Sequence, residues 1–373
     1  MLSFWEKEHF LQYDLLVIGG GITGLSTACS WREKFPEKSV LVLERGIFPS
    51  GASTRNAGFA CYGSAAEILQ DIGLMGEDKA LALVEMRKRG LSRLRHRLGD
   101  EKIGYEELGG GELILQQADF DVACLPQLNS LLLPVFGKEV FSVDDATVSA
   151  LGFQKQHIRH FICNHAEGQI DTGRMMKSLM EKARELGVEM LTGCTACKPE
   201  KINGSWTTAL AGSAIAFRSE RVAVCTNAFT SELFPGLDIQ PGRGQVLITA
   251  PVPGLRFRGI FHFDNGYFYF RNVGNRVLFG GGRNLDFEKE KTTISELNDA
   301  IQDKLEQYLR NLILPEAQPF SIEQRWAGIM AFGAEKLPLV KDLGDGLALG
   351  VRLNGMGVAI GSEIGEQLAE ILH

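Results

Sequence analysis

Residues 15–18 form an unbroken apolar run, and Gly19-Gly20-Gly21-Ile22-Thr23-Gly24 follows it at once. Such a run predicts a strand buried on both faces, and the glycines predict a tight turn that opens a helix. Residues 40–43, Val-Leu-Val-Leu, repeat the pattern as a second parallel strand. From residue 77 to 98, Leu81, Val84, Leu91 and Leu94 recur at helical spacing, with Arg87 and Lys88 among them, which predicts an amphipathic helix with a solvated basic face. A strand is expected at 112–115 and a helix over 120–135, interrupted or started late by Pro126.

Residues 168–174, a helix to 186 and a strand at 188–191 return the chain to a βαβ rhythm. Another buried strand, 221–225, ends in Thr226-Asn227-Ala228, and the glycines and prolines from 235 to 253 mark a change of architecture. Beyond it, 245–249, 267–271 and 277–280 read as short antiparallel strands, with a hairpin turn at 272–275. In 267–271 the period of two sets Tyr267, Tyr269 and Arg271 on one face and Phe268 and Phe270 on the other. Thr293 with Glu296 predicts a capped helix whose apolar stripe is Ile294, Leu297, Ile301, Leu305, Leu309 and Leu312. A last strand, 346–351, precedes a helix that opens at Asn354-Gly355-Met356-Gly357-Val358 and runs to 372.

A chain of 373 residues, 45% hydrophobic, can bury a full core and suggests two domains. A formal charge of −7 without a dense Lys/Arg block argues against nucleic acid or anionic lipid as the main partner. No apolar run is long enough to span a bilayer, and residues 1–12 mix Trp5 with Glu6, Lys7 and Glu8 where a signal segment would be apolar, so the expected location is cytoplasmic. Seven scattered cysteines argue against a disulfide framework. Cys194-Thr195-Ala196-Cys197 has no second pair to complete a zinc site, the histidines lack ligand spacing, and no metal is expected.

The chemistry begins at the first glycine turn. Gly19, Gly21 and Gly24 have the GxGxxG spacing, with Ile22 and Thr23 at the positive end of the helix where a pyrophosphate would rest. Glu44 closes the second strand about twenty residues on, placed for ribose hydroxyls, with Arg45 beside it; an acid there disfavours NADP. The small polar loop 51–58 can lie flat on a large planar ligand, and Thr226 and Asn227 stand at a strand end where ligands bind. A second glycine-rich helix start, hundreds of residues after the first, implies a ligand long enough for two clamps, which favours FAD over NAD; an NAD-dependent dehydrogenase is the rival.

With these residues in view, the chain resembles the FAD-dependent D-amino-acid-oxidase-like superfamily, in the branch of glycine oxidase, monomeric sarcosine oxidase and γ-glutamylputrescine oxidoreductase. The matching pieces are the first glycine motif with Glu44, Gly51-Ala52-Ser53, residues 168–171, Pro241-Gly242-Arg243-Gly244-Gln245, Gly280-Gly281-Gly282, Arg325-Trp326-Ala327-Gly328 with Pro338, and Gly355-Met356-Gly357. The resemblance implies an α/β fold with an α+β insertion: a discontinuous Rossmann-like FAD domain (1–85, 150–235 and 325–373) and a mostly antiparallel substrate domain (86–149 and 236–324). It also implies oxidation of the C–N bond of an amine or amino acid, hydride passing to flavin N5 and the imine then hydrolysing. Ser53, Thr54, Arg55, Asn56, Ala57 and Gly58 are expected to border the isoalloxazine, Ala52 and Gly328 to contact the cofactor, and the helix beginning at Gly357 to face the flavin's N1/O2 edge.

Three departures stand against this pattern. The carboxylate-binding arginine that glycine oxidase carries after Trp-Ala-Gly-Leu is Met330 here. The lysine that sarcosine oxidase carries in its last glycine motif falls on Val358-Ala359. The cysteine of covalent flavin attachment has no counterpart after Arg325-Trp326, so noncovalent FAD is expected. Substrate contacts are therefore assigned to Tyr267, Tyr269, Arg271 and Met330, with Arg55 as a second candidate cation. No general acid or base is assigned, because a neutral amine needs none. Oxygen or another acceptor remains open, and a flavin-binding subunit without turnover is the rival from another class.

Overall fold

The apolar runs become strands covered on both faces. In the computed structural model, which describes residues 1–373, Gln12–Ile18 is paired in parallel with Val40–Leu43 on one side and Ala216–Val224 on the other. Glu189–Leu191 and Leu347–Val351 extend this sheet in parallel, and Leu339–Asp342 ends one edge antiparallel. Alternate side chains serve opposite layers. Leu15, Val17, Val40, Val42 and Ala223 pack under the helices Ile22–Lys34, Thr172–Glu185 and Gly357–Ile371, whereas Leu16, Ile18, Leu41, Leu43 and Val222 meet Trp206, Phe217, Ile239 and Ile329.

The first and last helices touch through small residues. A Cβ on Gly365 would stand 2.6 Å from that of Ser26, so only glycine permits this approach. The Ser26 and Ser362 hydroxyls are 3.2 Å apart across the same contact.

The second sheet has eight strands in the order Ile322–Phe332, Gln240–Thr249, Arg276–Gly281, Phe268–Val273, Ile260–Phe263, Gly110–Leu115, Ile158–Asn164 and Phe141–Val143. Every pairing is antiparallel except Ile260–Phe263 with Gly110–Leu115. One face buries Phe153, Phe161, Phe257, Phe261, Phe270 and Phe279 against the helix Asp299–Tyr308. The opposite face carries Val246, Tyr269 and Leu278 against Ala57 and Phe59 of the first glycine-rich unit.

Several elements depart from the sequence expectation. Ile158–Asn164, placed by sequence with the nucleotide domain, belongs to the second sheet. The helix Glu77–Leu98, divided by the expected boundary, packs with the helical layer of the first sheet through Leu91 and Leu94. The helix expected from Thr293 starts instead at Asp299, capped by Asn298, and Ile294 and Leu297 are exposed. Its C-terminal end widens into the π-turn Leu309–Ile313. No helix is long and apolar enough to cross a membrane.

Candidate active site

Where the two sheets meet, a cavity of about 710 Å³ opens, well within the size of cofactor and substrate sites. Its first wall comes from the opening glycine turn. Gly19 has a φ of +109°, and a Cβ there would sit 2.6 Å from the Cys225 carbonyl oxygen. Gly24 lies behind the wall: a Cβ on it would collide with the Gly19 carbonyl oxygen, so it sets how closely helix and strand pack. Gly19, Gly21, Ile22 and Thr23 face the cavity. The helix they open has no side-chain N-cap; only the Ile22 N–H is taken, by Ser53 Oγ at 2.9 Å. Its positive end is thus directed at open space.

Glu44 is held at the same wall, its carboxylate accepting from Gly20 N–H at 3.0 Å and Gly46 N–H at 2.9 Å. Arg45 is exposed, its guanidinium 3.5 Å from the centre of the Phe229 ring. In the 51–58 loop, Ala52, Ser53, Arg55, Asn56 and Ala57 line the cavity. Thr54 turns away to donate to the Pro49 carbonyl at 2.7 Å, and Gly58, at a φ of +74°, is packed against Ile170 and Arg271. Thr226 and Asn227 line it from the end of Ala216–Val224.

The other wall is the second glycine turn. Asn354 and Gly355 are left-handed, with φ of 49° and 82°, and Asn354 is fixed by donating to the Lys336 carbonyl at 2.7 Å. With Met356, Gly357 and Val358 they face the cavity, and the helix Gly357–Ile371 also lacks a side-chain cap. Two helix N-termini therefore look into one space. Gly328 and Met330 complete that wall, the Met330 sulfur lying 3.5 Å from where a Gly355 Cβ would be.

On the second-sheet side, Tyr267 and Tyr269 reach the cavity as the period of two requires. Tyr269 stacks edge-on against Phe59 at 5.5 Å, and burial pushes its phenol up to about 12. Arg271 does not line the cavity. It shares the face of Tyr269 but lies further along the strand, where the sheet has passed under Gly58; burial lowers its guanidinium to about 10, and Asp171 and Glu106 oppose that shift. Arg55 is already engaged, donating to the Ala327 carbonyl at 2.9 Å and to Ser295.

Sequence reasoning missed Phe59, Glu67, Asp71, His262, Arg283, Phe332 and Lys336, all on the cavity wall. Only Arg283 had a local signal, since it ends the Gly280–Gly282 run. His262 is buried, kept neutral by that burial, with its Nε2 3.9 Å from Glu167 and without a hydrogen-bond partner. Cys194, like its neighbours Thr195 and Ala196, lines the cavity near Glu44.

Behind His262 lie two buried carboxyls. Burial raises Glu167 to about 8 despite hydrogen bonds from the Tyr62 and Gly63 amides, and raises Glu112 to about 7 despite those from Ala66 and Ser64. A carboxyl whose folded value lies above its unfolded one stabilises most below the unfolded value, and that stabilisation fades as pH rises through the folded value. The thermal midpoint of the apoprotein should thus fall by several degrees from about pH 6 to about pH 9. Glu167→Gln, which keeps an acceptor for both amides, should flatten the decline; an unchanged slope in a pH series of melts would refute this account.

Comparison with known proteins gives these walls a context. The family model described as FAD dependent oxidoreductase (DAO) matches residues 14–371. A probable oxidoreductase OrdL of Rhizobium meliloti is 22% identical over 96% of this chain and 82% of its own length. A second OrdL, from Haemophilus influenzae, is 24% identical over 100% and 90%. Among solved structures, glycine oxidase from Geobacillus kaustophilus superposes with a TM-score of 0.78 at 18% identity, covering 97% of this chain and 95% of that one. L-Proline dehydrogenase from P. horikoshii gives 0.77 at 16% identity, covering 97% and 93%.

Proposed function

Because the chain belongs to the FAD-dependent oxidoreductase family, we propose that it oxidises the C–N bond of an amine or amino acid to an imine, which water then hydrolyses. The observation that carries this reading is the pair of uncapped helix N-termini on one cavity whose far wall is aromatic and half-buried. The residues present fit the cofactor. Gly19 to Thr23 and the free amides behind them suit a pyrophosphate, Glu44 suits ribose hydroxyls, and the start of Gly357–Ile371 suits the anionic edge of a reduced flavin. When bound, FAD supplies a hydride acceptor at N5.

The protein's own side chains prepare the amine. Tyr269, Phe59 and Met330 exclude water from the reacting carbon, and the Tyr269 hydroxyl, which has no partner within the chain, is free to hold the amine nitrogen. Neutral His262 lines the same cavity. The likeness to glycine oxidase and L-proline dehydrogenase supports amino acids or N-substituted amino acids as the substrate class. The test is an anaerobic panel of amines, N-methyl amino acids and γ-glutamyl amines added to the FAD-loaded protein. Bleaching of the flavin by at least one is expected, and a stable yellow protein across the panel would overturn the reading in favour of a flavin-binding role.

The flavin is held without a covalent bond. The strand Ile322–Phe332 carries no cysteine, and on the cavity wall burial pushes up all three thiols, Cys61, Cys194 and Cys225, the last to about 12, away from the nucleophilic thiolate. Acid precipitation should release all of the flavin into the supernatant; colour retained in the pellet would count against this.

A further inference from the structure

We propose that Arg283 is the residue that holds a substrate carboxylate, which makes the substrate class carboxylate-bearing amines; the proposal rests on the amine-oxidising reading above. Arg283 leaves the second sheet just after Gly281 and Gly282, whose left-handed φ of 119° and 77° turn the chain out of the strand. Its guanidinium lies 3.8 Å from the centre of the Phe332 ring and 4.8 Å from that of Phe287, on the cavity wall and half-buried.

Five cations border the cavity, and four are accounted for. Arg55 donates to the Ala327 carbonyl, Arg87 to the Tyr62 carbonyl, and Lys336 pairs with Asp71 at 2.5 Å. Arg45 is in open solvent beside Glu44. Arg283 alone combines partial burial with no hydrogen-bond acceptor or ion-pair partner in the chain, although withdrawal from water disfavours its charge. A planar guanidinium packed on two rings presents a fixed fork of N–H donors, and a carboxylate is the anion that fits it bidentately.

Arg283 shares the cavity wall with a strand that is bare next to Tyr269. Along Gln240–Thr249 the side chains of Arg243 and Gln245 point away to Glu290, and Gly244 and Val246 line the cavity. A Cβ on Gly242 would collide with the Phe332 ring and stand 3.5 Å from Arg283 Cδ; one on Gly244 would stand 2.9 Å from Met330 Cε and 3.8 Å from the Tyr269 hydroxyl. The Phe332 ring on which Arg283 rests thus covers Gly242, and bare Gly244 leaves the strand open beneath the Tyr269 hydroxyl proposed to hold the amine. Carboxylate toward Arg283 and amine toward Tyr269 is the orientation this wall dictates.

The test uses FAD-loaded protein and two probe pairs that cannot be oxidised: anthranilate with 2-aminobenzamide, and acetate with acetamide. Binding is read by calorimetry and by perturbation of the flavin spectrum. At least one carboxylate should bind tenfold or more tighter than its amide. Arg283→Met should erase that preference while retaining FAD and thermal midpoint, and Arg283→Lys should restore part of it. No carboxylate preference in either pair, or one that survives in Arg283→Met, overturns the proposal. If amines bleach the flavin but the preference is missing, this inference alone fails; if the preference holds and no amine bleaches the flavin, the reading of function fails instead.

Discussion

Glu290→Ala is expected to destabilise the protein by about 3–5 kcal/mol, the usual cost of leaving one member of a buried ion pair without its partner. The Glu290 carboxylate is fully buried. It accepts from Arg243 Nε and Nη2 at 2.8 Å each, from Asn298 at 2.8 Å and from Gln245 at 3.1 Å. Burial by itself would raise its pKa, but the bonds from Arg243, Asn298 and Gln245 outweigh it and hold the group below the ordinary carboxylate range. Removing the carboxylate strands the Arg243 guanidinium on the back of the strand whose front, at Gly244, lines the cavity. Glu290→Gln, which retains one acceptor and a similar shape, should lose markedly less. Urea unfolding at unchanged slope is the measurement, and a Glu290→Ala midpoint within about 1 kcal/mol of the parent would show that the pair matters little.

Gly24→Val should abolish retention of FAD, and Gly24→Ala should weaken it by more than a hundredfold, about 3 kcal/mol. The obstacle at Gly24 is the Gly19 carbonyl, backbone against backbone, so no rotamer change relieves it. The helix must retreat from the strand, and its free amides retreat with it. Gly73 provides the contrast: it lies in the interior of the helix Ala65–Met75, and a Cβ added to it would meet nothing within 4 Å. Gly73→Ala should leave flavin binding alone and add up to about 1 kcal/mol of stability. Fluorescence titration of the apoproteins with FAD separates the two, and a Gly24→Ala variant that binds like Gly73→Ala would refute the packing argument.

The parts of the fold written locally were legible. The run 15–18, its glycines and Val40–Leu43 declare a nucleotide corner because strand burial and turn geometry are both short-range properties. The helix Glu77–Leu98 was bounded correctly, as its glycine caps suggest. The Thr293/Glu296 signal failed for a long-range reason: Arg243 and Gln245 recruit the Ile294 and Glu296 carbonyls, while Asn298 caps the Ile301 amide and bonds Glu290. Buried donors from another strand overrode a local capping preference. The substrate side was less legible still. Tyr269 followed from strand alternation, but Arg271 on the same face lies under the Gly58 turn, and that turn comes from a segment more than two hundred residues away. Arg283, His262 and Phe332 stand on three different strands or strand ends, and no spacing along the chain announces that they share a cavity.

The contact between Ser26 and Gly365 bears on how the chain acquires its site. The two residues stand more than three hundred positions apart. The cavity needs both the opening turn and the start of the helix Gly357–Ile371, so neither wall is a site by itself. Closing a loop of that length must therefore precede any grip on a cofactor.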